Sequence, residues 1–182
     1  MQNRLRDLNV EIDKSERILD FMLSVIKVLL VSLTIAWLFS EFIMFKAYVP
    51  TGSMKPTIME EDNIMISRVY LGINRGDIMV FKHEVSEDYL IKRVVGLPGD
   101  IIEIKNGVVY INGKLFNEPY VKNPSDTNNF FIVPNDCYLF LGDNRAGSED
   151  ARMWKNPYVN KDAIVGKAIF RIYPLKNICW MK

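Results

Sequence analysis

Ser53 and Lys92 are the residues of this 182-residue chain best placed for covalent chemistry. Ser53 lies in Thr51-Gly52-Ser53-Met54-Lys55-Pro56-Thr57, a few residues past an apolar run from about Ile18 to Phe45. An extended chain gains at most about 3.5 Å per residue, so if that run crosses a bilayer Ser53 stays near its surface. Lys92 interrupts the apolar stretch Tyr89-Leu90-Ile91-Lys92-Arg93-Val94-Val95. In a strand it shares a face with Leu90 and Val94, while Arg93 shares one with Ile91 and Val95. If that strand is central, loss of water disfavours the ammonium. A lysine tuned to about 7–8 then takes a proton from a serine hydroxyl. The chemistry would be acyl transfer through a serine ester, on a peptide bond at the membrane surface. Taken alone, Ser53 also suits a turn or helix cap, and on an edge strand Lys92 would snorkel into water. His83, in the polar loop Phe81-Lys82-His83-Glu84, reads as solvent-facing and a poor base.

A third candidate element is Gly142-Asp143-Asn144-Arg145-Ala146-Gly147-Ser148-Glu149-Asp150-Ala151-Arg152, directly after the strand-like Tyr138 to Leu141. Its glycines and Asx residues predict a tight loop, with polar side chains dense enough to support a site. Two arginines oppose a cation there, and the spacing is not that of an EF-hand.

These residues need an anchor and a scaffold. Phe21 to Phe39 reads FMLSVIKVLLVSLTIAWLF, about the 20 residues that cross a hydrocarbon core. Lys27 is its one charge. Bulky residues continue through Glu41-Phe42-Ile43-Met44-Phe45-Lys46 with no small-x-small pair, so the segment reads as a retained anchor rather than a removable signal. Arg4, Arg6, Lys14, Arg17 and Lys27 precede or open the span, against Lys46 and Lys55 after it. That bias puts the N-terminus in the cytoplasm and the domain outside, in the cell membrane. The expected division is a polar cytoplasmic segment 1–17, an anchor helix 18–45 and an extracytoplasmic catalytic domain 46–182.

The remaining length suits one soluble domain. A net charge of +1 gives no reason to expect a nucleic-acid partner. One histidine and two cysteines, Cys137 and Cys179, make a zinc site untenable. The thiols either pair outside the cell or are buried separately, and burial is the preferred reading. From Asn63 onward the pattern is β: Ile64 to Ile66, Ile78 to Phe81, Leu90 to Val95, Cys137 to Leu141 and Ile164 to Ile172. Leu97-Pro98-Gly99-Asp100 predicts a type II turn. Asn106-Gly107 and Asn112-Gly113 predict tight hairpins, and Pro119 to Asn129 a polar loop. Frequent turns without βα alternation predict a mainly β fold, an antiparallel barrel-like domain after one transmembrane helix. Trp154 and the end Ile178-Cys179-Trp180-Met181 suit either lipid headgroups or burial.

Five blocks in one order resemble the bacterial type I signal peptidases. They are the anchor with Ala47-Tyr48-Val49-Pro50, then Gly52 to Thr57, Arg75-Gly76-Asp77-Ile78-Met79-Val80-Phe81, Lys92 to Asp100, and Gly142 to Arg152. The short stretch between the last two resembles the compact Gram-positive type. Lysine at 92, where the endoplasmic-reticulum type has histidine, also points to a bacterial enzyme. The resemblance implies a serine endopeptidase that removes signal peptides from exported preproteins after a small-x-small motif. By position, Ser53 matches the nucleophile, Lys92 the general base and Ser148 the hydroxyl that orients the lysine. Thr51 matches a hydroxyl that joins the Ser53 N–H at the oxyanion. Arg93, Asp143, Arg145, Asp150 and Arg152 match a supporting polar network. Val49, Met54, Ile58 and Ile91 match the apolar lining that binds substrate. No metal or cofactor is implied; the expected partners are preprotein signal peptides, the lipid bilayer and the secretion translocon. Ala146 and Ala151 depart from the polar residues of many members. Two rivals are a self-cleaving Ser/Lys protease, for which no Ala-Gly-like site precedes Ser53, and a catalytically dead scaffold, which intact Ser53, Lys92 and Ser148 oppose.

Overall fold

A computed structural model describes residues 2–83 and 88–181, with side chains from residue 16 onward. The chain divides into two compact units, Met1–Phe42 and Ile43–Lys182. The first is one helix, α1 (Gln2–Phe42). Its 27-residue portion Glu16–Phe42, of mean hydropathy 2.2, is long and apolar enough to cross a membrane. Its side chains are exposed all round, Ile18, Phe21, Leu29, Leu33 and Phe42 among them. Ser24, Ser32 and Thr34 turn their hydroxyls back onto the carbonyls of Asp20, Val28 and Leu30, each at 2.8 Å. That satisfies within the helix polar groups for which lipid offers no partner. The helix stops at Phe42, before the end of the apolar run at Phe45, because Met44 and Phe45 enter a strand paired with Ser67 and Ile66.

The second unit is mainly β and antiparallel. Its larger sheet contains β1 (Met44–Tyr48), β2 (Asn63–Ser67), β3 (Ile78–Lys82), β4 (Tyr89–Gly96), β9 (Cys137–Leu141), β10 (Tyr158–Asn160), β11 (Ile164–Tyr173) and β12 (Cys179–Trp180). The order is β1-β2-β11-β3-β4-β9-β10, with β12 beside β11. Register shifts at Ala168/Phe170, Arg171/Tyr173 and Ile164/Gly166 interrupt the long β11, and such bulges bend a sheet. The smaller sheet holds β5 (Ile101–Lys105), β6 (Val108–Ile111), β7 (Lys114–Leu115) and β8 (Asn129–Ile132), in the order β7-β6-β5-β8. Both Asn-Gly pairs close hairpins with positive φ at each residue, 48° and 77° at Asn106-Gly107 and 51° and 77° at Asn112-Gly113. The expected type II turn is present: Asp100 N donates to Leu97 O at 3.0 Å and Gly99 has φ 83°.

Period-two patterning sets the core. Ile64 and Ile66 of β2 pack with Val49, Met54, Ile58, Ile78 and Val80. Ile102, Ile104, Val109, Ile111 and Phe131 of the smaller sheet pack on Val95, Leu139 and Leu141. Two expectations are corrected. His83 is buried rather than solvent-facing, its ring 4.1 Å from that of Trp154. No disulfide joins Cys137 to Cys179, and Cys179 is exposed on β12 rather than buried.

Candidate active site

Strand β4 decides the environment of Lys92. It pairs with β3 along Tyr89 to Arg93 and with β9 from Arg93 onward, so it is flanked on both sides only from Arg93 and keeps one free edge before it. Lys92 and Arg93 are nevertheless 4% and 3% exposed, so the reading in which Lys92 snorkels outward into water does not hold. Ser53 opens a tight turn closed by hydrogen bonds from Lys55 N to Gly52 O (3.1 Å) and Ile58 N to Met54 O (2.9 Å). Met54 and Ile58 are fully buried and fix this turn to the core. The turn presents Ser53 to β4, where Lys92 Nζ lies 2.7 Å from Ser53 Oγ. At that separation the ammonium donates to the hydroxyl oxygen, and the neutral amine accepts from the hydroxyl. Burial lowers the lysine pKa from 10.5 to about 8, partly offset by the negative charges of Asp150 and Glu149. Thr51 Oγ1 is 3.4 Å from Ser53 Oγ, on the same turn.

The Gly142 to Arg152 loop closes over the back of this pair. Asn144 N donates to Ser53 O at 3.1 Å and Asn144 Nδ2 to Gly52 O at 3.0 Å. Gly142 is needed for the approach: a β-carbon there would sit 2.2 Å from Ser148 Oγ and 2.5 Å from Ser53 O. Ser148 is buried beside it, and its hydroxyl has no hydrogen-bond partner among the described residues. The hydrogen bond to Lys92 implied for Ser148 is therefore not formed, and the amine turns to Ser53 instead.

The remaining polar residues expected at the site form three buried ion pairs. Arg93 grips Asp143 with two bonds, Nε to Oδ1 at 2.8 Å and NH2 to Oδ2 at 2.6 Å. Thr57 Oγ1 adds a 2.5 Å bond to Asp143, linking the Ser53 turn to the closing loop. Arg152 holds Asp150 through Nε at 2.7 Å and NH2 at 2.8 Å, and Gly142 N donates to the same carboxylate at 2.9 Å. Arg145 instead pairs with Glu118, at 2.8 and 2.5 Å, and donates to Gly142 O. Glu118 and Tyr120 were not predicted. Tyr120 donates to Glu118 at 2.7 Å and lies with its ring 4.0 Å from the Arg93 guanidinium. Burial and Glu118 push its phenol well up. Their sequence context, on either side of Pro119, carries no sign of these long-range partners. Asn144 was visible only as a loop former, and Arg171, which bonds the Thr57 carbonyl, only as a strand residue.

A cleft of about 560 Å³ opens beside Ser53 and Lys92. Its walls are β1 with the following Val49 to Thr51, and the start of β4. Val49 and Ile91 line it, whereas Met54 and Ile58 lie in the core outside its lining. Both bordering segments offer backbone for an added strand: β1 ends the sheet, and Tyr89 to Lys92 pair only with β3. A buried serine–lysine pair beside such a cleft can carry out acyl transfer on an extended peptide.

The family described as signal peptidase, peptidase S26, matches residues 22–173. Signal peptidase I P of Bacillus subtilis subsp. natto is 36% identical over 181 residues, 91% of this chain and 97% of that one. Signal peptidase IB of Staphylococcus aureus strain COL is 32% identical over 184 residues, covering 89% and 93%. A solved structure of a signal peptidase I from Enterococcus faecalis V583 aligns with TM-score 0.49 at 26% identity, over 54% of this chain and 98% of that one. The chain thus belongs to the signal peptidase family, peptidase S26, and is a serine endopeptidase that acts on preprotein signal peptides.

Proposed function

We propose that this protein is a membrane-anchored signal peptidase in which Ser53 is the nucleophile and Lys92 the only general base. The 2.7 Å contact between Lys92 Nζ and Ser53 Oγ carries this reading. Neutral Lys92 takes the hydroxyl proton as Oγ attacks the scissile carbonyl. The oxyanion is received by the Ser53 N–H and the Thr51 hydroxyl, and losing one such donor typically costs roughly 3–4 kcal/mol. The Lys92 ammonium then protonates the leaving amine, which departs as the new N-terminus of the mature protein. The amine, neutral again, deprotonates a water that hydrolyses the Ser53 ester.

The small-x-small preference follows from an extended substrate. Side chains two positions apart point to the same face, so both small residues meet the wall that includes Val49 and Ile91. The α1 segment Glu16–Phe42 holds the enzyme in the bilayer, with its arginine- and lysine-bearing N-terminus in the cytoplasm and the catalytic unit outside. That restricts the search to the plane in which the preprotein's apolar segment also lies, next to the translocon that delivers it. Ser53→Ala and Lys92→Ala should each abolish cleavage of a purified preprotein while leaving circular dichroism unchanged. Substantial processing by either folded variant would refute the dyad.

A further inference from the structure

The peptide unit that joins Gly52 to Ser53 carries the Ser53 N–H named above as an oxyanion donor. A trans peptide is planar, with its C=O and N–H pointing opposite ways. Whatever holds Gly52 O therefore aims the Ser53 N–H. Two donors hold it: Lys55 N at 3.1 Å, from within the turn, and Asn144 Nδ2 at 3.0 Å, from the closing loop. Asn144 N also donates to Ser53 O at 3.1 Å, so one residue grips both carbonyls that flank the Ser53 side chain. A bond accepted at a carbonyl polarises its peptide unit and strengthens the donor at the other end.

Asn144 can act this way only with its amide nitrogen towards Gly52. The reversed amide would set two acceptors face to face. Asn123, on the loop that follows β7, fixes the choice: its Nδ2 donates to Asn144 Oδ1 at 2.6 Å. Asn123 O in turn accepts from Ala146 N at 3.2 Å, which straps the two loops together without the side chain. Space is tight beside the Asn144 amide, where a β-carbon on Gly147 would lie 2.6 Å from Nδ2. The result is a directed chain of donors, from Asn123 through Asn144 to the Gly52–Ser53 peptide, ending where negative charge develops. Asn123 is exposed and lies outside the five blocks that carry the family resemblance.

We propose that Asn123 is a positioning residue: acting through Asn144, it aims and polarises the Ser53 N–H towards the oxyanion. This rests on the oxyanion reading given above. The interaction strengthens as the carbonyl oxygen becomes charged, so it favours the transition state over bound substrate.

The test uses Asn123→Ala and Asn123→Asp in the full chain in detergent, with a peptide substrate and two ligands, a peptide aldehyde and the corresponding alcohol. Ser53 Oγ adds to the aldehyde carbon, the hydroxyl proton passes to Lys92, and the carbonyl electron pair becomes an oxyanion facing the same donors. The alcohol binds without reacting. Asn123→Ala should lower kcat about threefold, within the worth of one hydrogen bond, and weaken the aldehyde by the same factor. KM and alcohol affinity should stay unchanged. Asn123→Asp should lose more, about tenfold, because its carboxylate has no N–H and draws Asn144 Nδ2 away from Gly52 O. A mere loop clip would behave differently, since both variants keep the backbone bond from Ala146. Equal losses from the two variants, or a kcat loss without weaker aldehyde binding, would overturn the proposal. So would a loss of alcohol affinity as large as that of the aldehyde. If the unaltered protein binds the aldehyde no more tightly than the alcohol, the oxyanion reading itself fails and the role of Asn123 with it.

Discussion

The Lys92 amine is pushed down to about 8 because its side chain is buried and little water reaches it. Acylation should therefore rise with pH through an inflection near 8 and level off above it; single-turnover rates on a peptide substrate measure this, and a flat profile from pH 6 to 9 would exclude a titrating base. The same burial costs stability. A drop from 10.5 to about 8 puts about 3 kcal/mol against the charged folded form at neutral pH. Between the two values the unfolded chain holds a proton that the folded chain lacks, so this contribution improves as pH rises through that window, and below 8 the deficit is constant. Lys92→Met should be inactive yet about 1–3 kcal/mol more stable at pH 7 by urea unfolding, with the gain shrinking towards pH 10.5. Asn144 holds the carbonyls of Gly52 and Ser53. Asn144→Ala removes the side-chain bond to Gly52 O but keeps the backbone bond to Ser53 O, and should lower kcat by roughly tenfold, about the worth of one lost hydrogen bond, with KM and the inflection near 8 little changed. An unaltered kcat would remove Asn144 from the positioning of the nucleophile.

At the scale of elements, three buried ion pairs hold a strand and two loops together at the back of the site. Arg93 with Asp143 joins β4 to the closing loop, Asp150 with Arg152 stiffens that loop, and Arg145 with Glu118 ties it to the segment after β7. Asp143→Ala strands the Arg93 charge in the interior and should cost about 3–5 kcal/mol in denaturant unfolding, with activity lost alongside. Gly142→Ala belongs to the same scale, since its methyl would collide with Ser148 and the Ser53 carbonyl. It should depress activity more than any change at the remote turn glycine Gly113, which has no atom within 4 Å of an added β-carbon.

For the whole molecule, the apolar helix and the β unit divide the work into holding and cutting. Exposed Cys179 provides a native reporter of orientation. On intact cells an impermeant maleimide should label Cys179 but not a Gln2→Cys variant with both native cysteines replaced; labelling reversed between the two would invert the proposed topology.

Much of this was readable from residue order alone, for reasons of range. Strands β3, β4 and β11 follow from local β-branched runs, β9 from a run of aromatic and leucine residues, and the hairpins from Asn-Gly pairs whose positive φ is a property of two residues. Ser53, Lys92 and the closing loop carry their chemistry in short blocks. The short strands β1, β8 and β10 were missed because an apolar run, a polar loop and a mixed stretch become strands only when neighbours pair with them. The tertiary structure likewise decided that Lys92 is buried, that Arg145 takes Glu118 as its partner, and that Asn144 clamps the Ser53 turn. These depend on contacts between distant parts of the chain, where hydrogen bonding and loss of water follow from the packed fold and not from neighbours in sequence.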